Sequence, residues 1–237
     1  LDVLATMHKW GWGKLELALI QNFQNCALPT INSTNSLKAE EFAVLAGPAL
    51  EPDELFAMRH FEPGSYKSSF FSELRSIRVL EKIAETRALL GFSRRIPYNQ
   101  KSIQYGLLQP KKSRWIPAYR VYGEGIFFEF FPENIRERAV SLATENPTEG
   151  KRFELKNIEF AFLHTFSHMM IRALSHECGY MISSLRERLY YEEGDSKPEM
   201  CGVLIYTSSG DAEGTMGGLI RMARPGTLEG VVDQALN

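Results

Sequence analysis

The chain has 237 residues, of which 44% are hydrophobic and 24% charged, a composition that excludes disordered, collagen-like and coiled-coil proteins. A net charge of -2 excludes a protein that is basic throughout but leaves room for a local nucleic-acid-binding surface. Charges or histidines interrupt every apolar stretch before roughly 18 residues, so no membrane-spanning helix and no membrane partner are predicted. Three widely spaced cysteines form no disulfide framework and, without a signal peptide, indicate the cytoplasm.

Four elements are predicted in the first 145 residues. Residues 37–46 form a short helix, and residues 71–90 have the longest helical pattern of this half. The apolar residues of that pattern recur every three positions: Leu74, Ile77, Leu80 and Ile83. An aromatic strand at 119–131 and a helix of mixed charge at 133–144 follow.

The last third is predicted to contain two helices, then two strands, then a final helix. In chain order these are a long apolar helix at 154–177, a helix at 182–191, a buried strand at 201–207, a short strand at 219–223 and a helix from Thr227.

These elements predict a mixed α/β (α+β) fold in three units. Residues 1–70 form a helical and loop region, residues 71–145 a small basic and aromatic section that contains β-structure, and residues 151–237 a C-terminal core of helix, helix and strand. The chain starts at Leu1 without an initiator Met and stops at Asn237 inside a predicted helix, so we expect it to be a piece of a longer protein.

Basic residues are concentrated between positions 72 and 120, where eleven Lys or Arg face three Glu. Four aromatic residues are interleaved with them, as in surfaces that hold phosphates and stack bases. The candidate phosphate contacts are Arg75, Arg78, Arg94, Arg95, Lys111, Lys112 and Arg114. The alternatives are a solvated face or a surface that docks an acidic partner.

A polar ribbon runs along the long predicted helix, where His164, His168, Arg172 and His176 recur every four residues. Histidines at this spacing can chelate a metal, but the Glu of an H-E-x-x-H motif is replaced by Thr165. The pattern therefore favours imidazoles that hydrogen-bond to neighbouring segments, with a metal site as the alternative.

Two further groups could carry chemistry. Arg186 and Arg188 in the second predicted helix favour ion pairs with neighbouring elements, or a specific role against Glu177 or Asp211. Asp211 and Glu213 lie in a glycine-rich loop at 208–218, where the pattern favours a tight turn over metal or acid–base chemistry. The loop is not a P-loop, because it lacks the terminal Gly-Lys-Ser/Thr.

The run HTFSHMMIRALSHECGYMISSLRERLYY (164–191) and the run GVLIYTSSGDAEGTMGGLIRMARPGTLEGVVDQAL (202–236) resemble the MZB domain family. MZB stands for MrfA-associated zinc-binding domain, a domain attached to DNA helicases. Within this family the chain is most similar to the DrmB-like components of DISARM anti-phage defence. The upstream runs ELRSIRVLEKIAETRALLGFSRR (73–95) and GEGIFFEFF (123–131) resemble the same proteins.

This resemblance implies a non-motor accessory subunit of a DNA helicase complex in phage defence or DNA repair. Such a subunit contacts DNA, docks onto a superfamily-2 helicase, or does both, and has no catalytic site of its own. The residues expected to organise its core or a partner contact are His164, His168, Glu177, Arg186, Arg188, Asp211 and Glu213. The resemblance places the family's zinc-binding cysteines beyond this chain, so no metal ligand or cofactor is assigned within it.

Two other functions remain open at this point. One is a metal-dependent nuclease or hydrolase that uses His164, His168, Asp211 and Glu213. The other is a pure protein-interaction scaffold, in which the basic segment meets an acidic helicase surface and does not touch DNA.

Overall fold

The computed structural model describes residues 36–48, 50–88, 91–92, 104–105, 118–145, 155–191, 200–207 and 217–236. Its strands, in chain order, are β1 (Phe56–Phe61), β2 (Leu74–Ala88), β3 (Gly91–Phe92), β4 (Gln104–Tyr105), β5 (Ala118–Phe130), β6 (Leu185–Tyr191) and β7 (Cys201–Thr207). Five of them form one antiparallel sheet in the order β1-β2-β5-β7-β6, and β3 pairs with β4 separately.

Helices cover both faces of the five-stranded sheet. In chain order they are α1 (Ser36–Ala46), α2 (Pro132–Glu145), α3 (Leu155–Cys178), α4 (Gly218–Met222) and α5 (Leu228–Leu236). Helices α2 to α5 pack on one face and form the larger core, whereas α1 packs on the other face. The predicted mixed α/β class is confirmed. Among the described residues, no helix is both long and apolar enough to cross a bilayer.

Strand β5 shows why the sheet is buried on both sides. Its side chains alternate, so that Ile126, Phe128 and Phe130 join the larger core while Phe127 faces α1. All four are almost fully buried. A strand covered on both faces has a nearly continuous apolar sequence, which explains the GIFFEFF pattern.

The predicted helix at 71–90 is wrong, because residues 74–88 form strand β2, which follows a short 3₁₀ turn at Ser69–Glu73. The pairing of β2 with β5 shifts between Leu74 and Ser76 and again between Leu80 and Ile83. Each shift reverses the alternation of side chains between the two faces. Leu74 and Ile77, on either side of the first shift, therefore both face the larger core. Leu80 and Ile83, on either side of the second shift, both pack toward α1. Two β-bulges therefore produce the three-residue spacing that imitates a helix.

Two further predictions in the last third are wrong. Residues 185–191 of the predicted second helix form strand β6, preceded by a 3₁₀ turn at Ile182–Ser184. The predicted strand at 219–223 is instead helix α4. Both segments are short, and the spacing of their apolar residues is compatible with a helix and with a strand. Contacts with distant parts of the chain therefore decide their structure.

The other predicted elements are confirmed within a few residues: α1, β5, α2, α3, β7 and α5. Gly179 ends α3 with a φ of 73°, the left-handed conformation expected at a helix C-terminus. The sheet takes β1, β2 and β5 from the first 145 residues and adds β6 and β7 from the last third.

We expect Gly202→Ala to destabilise the fold by about 1–3 kcal/mol, because a Cβ there would lie 2.7 Å from Phe127 Cε2. The matched control is Gly230→Ala on α5, where a Cβ meets nothing within 4 Å. That change should stabilise the protein by about 0.5–1 kcal/mol through helix propensity. Urea unfolding followed by circular dichroism measures both changes. A neutral Gly202→Ala would contradict the tight contact between β7 and the Phe127 ring.

Candidate functional site

Strands β2 and β5 continue beyond the rest of the sheet. Strand β1 pairs with β2 only as far as Ile83, and β7 pairs with β5 only from Glu124. Residues 84–88 and 118–122 therefore pair with each other as a two-stranded extension, which we call the ribbon. Ala88 lies opposite Ala118, so the ribbon brings together the two ends of the segment 89–117.

Cations lie against aromatic rings along the ribbon and at its base. The Arg87 guanidinium is 6.0 Å from the centre of the Tyr119 ring, and Lys82 Nζ is 5.6 Å from that of Tyr122. Arg87 also donates to Glu85 over 3.1 Å, and its hydrogen bonds to Glu85 and Tyr119 raise the pKa of Arg87 above its ordinary value. Because the Tyr119 side chain is exposed, the ribbon presents an aromatic ring to solvent, with the guanidinium of the Arg87–Glu85 ion pair beside it.

Of the predicted phosphate contacts, the structure describes Arg75 and Arg78, and both lie outside the ribbon. Arg75 is half-exposed near the start of β2, 3.5 Å from Glu129 and over the Phe131 ring. Arg78 is buried and donates to the carbonyls of Ala46 and Gly47, which holds the end of α1. Burial lowers the pKa of the Arg78 guanidinium. The remaining candidates lie outside the described residues: Arg94, Arg95, Lys111, Lys112 and Arg114.

A second site lies between α3 and β6. His164 and His168 are one turn apart on α3, and their Nε2 atoms are 3.0 Å from each other. Glu187 reaches them from β6, with its Oε1 3.2 Å from His164 Nε2 and 3.6 Å from His168 Nε2. The Ser167 hydroxyl donates to the other carboxylate oxygen. We call His164, His168 and Glu187 the His–His–Glu cluster.

The sequence analysis missed Glu187 because it placed residues 182–191 in a helix. In a strand, side chains alternate, so Leu185, Glu187 and Leu189 face α3 while Arg186 and Arg188 face the other side. Strand alternation at LRERL was therefore the signal that could have identified this carboxylate. Asp211 and Glu213, the predicted partners of the histidines, lie outside the described residues.

Arg186 and Arg188 both form ion pairs with neighbouring elements. Arg188 binds the Glu41 carboxylate of α1 through two nitrogens, with Nη2 2.8 Å from Oε1. Arg186 Nη1 lies 3.7 Å from Glu85. The Arg188 pair forms one wall of a cleft of about 650 Å³ between α1 and the sheet. Glu177, the acid considered for these arginines, instead lies 3.3 Å from His176 at the end of α3.

Glu124 is a fully buried carboxylate that fixes the start of α4. It accepts hydrogen bonds from the Tyr180 hydroxyl at 2.7 Å, from Gly217 N at 2.6 Å and from Leu219 N at 2.8 Å. Burial, together with the Glu124 carboxylate, raises the pKa of Tyr180. A strand side chain thus satisfies backbone donors at a helix start, where a local N-cap side chain would ordinarily do so.

Comparison with known proteins identifies one curated relative. It is the DISARM protein DrmB of Bacillus paralicheniformis, which is 33% identical to this chain over 179 residues. This identity supports a DrmB-like family for the chain. The match covers 65% of this DrmB-like chain and 30% of the relative's own length. No family model matches, so the predicted MZB domain within the DrmB-like chain stays a prediction.

Proposed function

We propose that this DrmB-like chain is part of a non-motor accessory subunit of a cytoplasmic DISARM defence complex that contacts DNA through the ribbon. One observation carries the DNA contact. The ribbon joins the two ends of residues 89–117, a stretch that contains six Lys or Arg and no Asp or Glu. We call residues 89–117 the basic segment.

Charge is the first argument for DNA as the ligand. A segment without acids cannot neutralise its cations internally, so their field acts on whatever polyanion approaches it. Each phosphate neutralised by Lys or Arg releases condensed counterions, which drives binding at low salt. The exposed Tyr119 ring of the ribbon, with the partly buried Arg87 beside it, extends this surface onto the folded part of the chain.

Aromatic residues are the second argument. The basic segment contains Phe92, Tyr98, Tyr105 and Trp115 among its cations. Stacking on aromatic rings holds unpaired bases without reading their sequence. The combination favours single-stranded or unwound DNA, which is the substrate and product of a helicase. We therefore propose a superfamily-2 helicase as the partner that supplies the motor.

Charge reversal in the basic segment tests this proposal. We expect Arg94→Glu/Arg95→Glu to weaken binding of labelled single-stranded DNA by about 10-fold or more at low salt, because two phosphate contacts become repulsive. The matched control is Arg221→Glu/Arg224→Glu, which changes the charge equally at exposed arginines around α4. Fluorescence anisotropy measures both affinities.

Two outcomes would contradict DNA contact through the basic segment. One is an equal loss in the control variant, which would indicate a general effect of net charge. The other is no binding by the unmodified chain even at low salt. The basic segment would then be assigned to docking of an acidic protein surface, which is the scaffold function.

A further inference from the structure

We infer that the His–His–Glu cluster binds one divalent transition-metal ion between α3 and β6. The ligands are Nε2 of His164, Nε2 of His168 and the carboxylate of Glu187. This inference does not depend on DNA binding, because the cluster lies on a different part of the sheet from the ribbon.

The three distances fit a shared cation. The donor atoms form a triangle with sides of 3.0, 3.2 and 3.6 Å. A point equidistant from the corners of such a triangle lies about 1.9 Å from each, slightly less than the roughly 2.0–2.2 Å of zinc bonds to nitrogen and oxygen. A cation slightly above the plane of the triangle therefore reaches bonding distance to all three atoms at once.

Hydrogen bonding alone does not make all three contacts favourable at once. The carboxylate oxygen only accepts, so a favourable contact with each imidazole requires both nitrogens to carry a proton. The two N–H groups would then face each other across 3.0 Å. If one nitrogen instead accepts from the other, it carries no proton to donate to the Glu187 oxygen. A cation removes this conflict because all three atoms then present lone pairs to it.

The surroundings hold the ligands in place. Ser167 is completely buried, and its hydroxyl contacts the Glu187 oxygen that does not face the histidines. The Phe160 ring stacks beside His164 at a centroid distance of 6.2 Å. Contacts of this kind orient metal ligands and raise affinity.

The ligand set and its exposure indicate the class of ion. Two imidazoles and one carboxylate suit zinc and similar first-row divalent ions, whereas magnesium and calcium prefer an all-oxygen site. The side chains of His164, His168 and Glu187 are 32%, 56% and 24% exposed, so an ion can enter from solvent. With three protein ligands, the ion keeps one coordination position open for water or for another molecule.

Titration of the metal-free chain, without a polyhistidine tag, with zinc chloride in a calorimeter tests the inference. We expect one ion per chain, and loss of binding in His164→Ala/His168→Ala and in Glu187→Ala. Ser167→Ala should weaken binding about 10-fold, since it removes only an orienting contact. His176→Ala on the same helix is the matched control and should bind as the unmodified chain does. Circular dichroism verifies that each variant is folded.

Cobalt supplies a second readout. Co²⁺ at the same site should give visible absorption bands without the thiolate charge-transfer band that cysteine ligands produce. Zinc binding that persists in His164→Ala/His168→Ala, a thiolate band with cobalt, or no stoichiometric binding by the unmodified chain would each overturn the inference.

Discussion

Replacing Glu124 with alanine is expected to lower the free energy of unfolding by about 3–5 kcal/mol. The carboxylate is fully buried and accepts from the Tyr180 hydroxyl and from the backbone of Gly217 and Leu219. Alanine would leave these three donors without their acceptor, and each unpaired buried donor costs about 1–3 kcal/mol. Urea denaturation measures the loss.

Two variants make this expectation specific. Glu124→Gln keeps one side-chain oxygen as an acceptor and should lower the free energy of unfolding less than Glu124→Ala does. Glu177→Ala removes an exposed carboxylate and should leave stability unchanged. Equal stability of Glu124→Ala and the unmodified chain would show that the start of α4 does not depend on this carboxylate.

Phe166→Ala is expected to destabilise the protein by about 3–5 kcal/mol, because it opens a cavity where α3 meets the sheet. The Phe166 ring is 1% exposed and stacks on Phe70 at a centroid distance of 5.5 Å. It also meets the edges of Phe128 and Phe130 at 5.3 and 5.2 Å. Thermal and urea unfolding followed by circular dichroism measure the change.

Phe166→Leu is an intermediate variant and should destabilise the protein less than Phe166→Ala, since leucine keeps most of the apolar volume. Val140→Ala, at an exposed position of α2, is the control and should be close to neutral. A Phe166→Ala protein as stable as the Val140→Ala protein would contradict the assignment of the larger core to the contact between α3 and β5.

Elements with one dominant pattern could be predicted from the sequence. The aromatic run of β5 and the long apolar run of α3 each satisfy a single period over many residues, and their predicted bounds agree with the structure. Strand β2 could not be predicted because its two bulges shift the side-chain alternation, which a one-dimensional pattern does not reveal.

The candidate site was predicted in part. The four-residue spacing identified His164 and His168 as neighbours on one helix face, and the structure confirms that they are adjacent. Their carboxylate partner could not be identified, because Glu187 meets them only through the pairing of β6 with β7 and the packing of α3 on that sheet. The buried contacts of Arg78 depend in the same way on the docking of α1.

Photocrosslinking tests the DNA contact most directly. The chain is bound to single-stranded DNA that carries halogenated pyrimidines, irradiated, digested and analysed by mass spectrometry for crosslinked peptides. We expect crosslinks in the ribbon and the basic segment, at Tyr119 and at aromatic residues between positions 89 and 117. Crosslinks concentrated on α2 or α5, which pack on the face of the sheet opposite α1, would contradict the proposed DNA-binding surface.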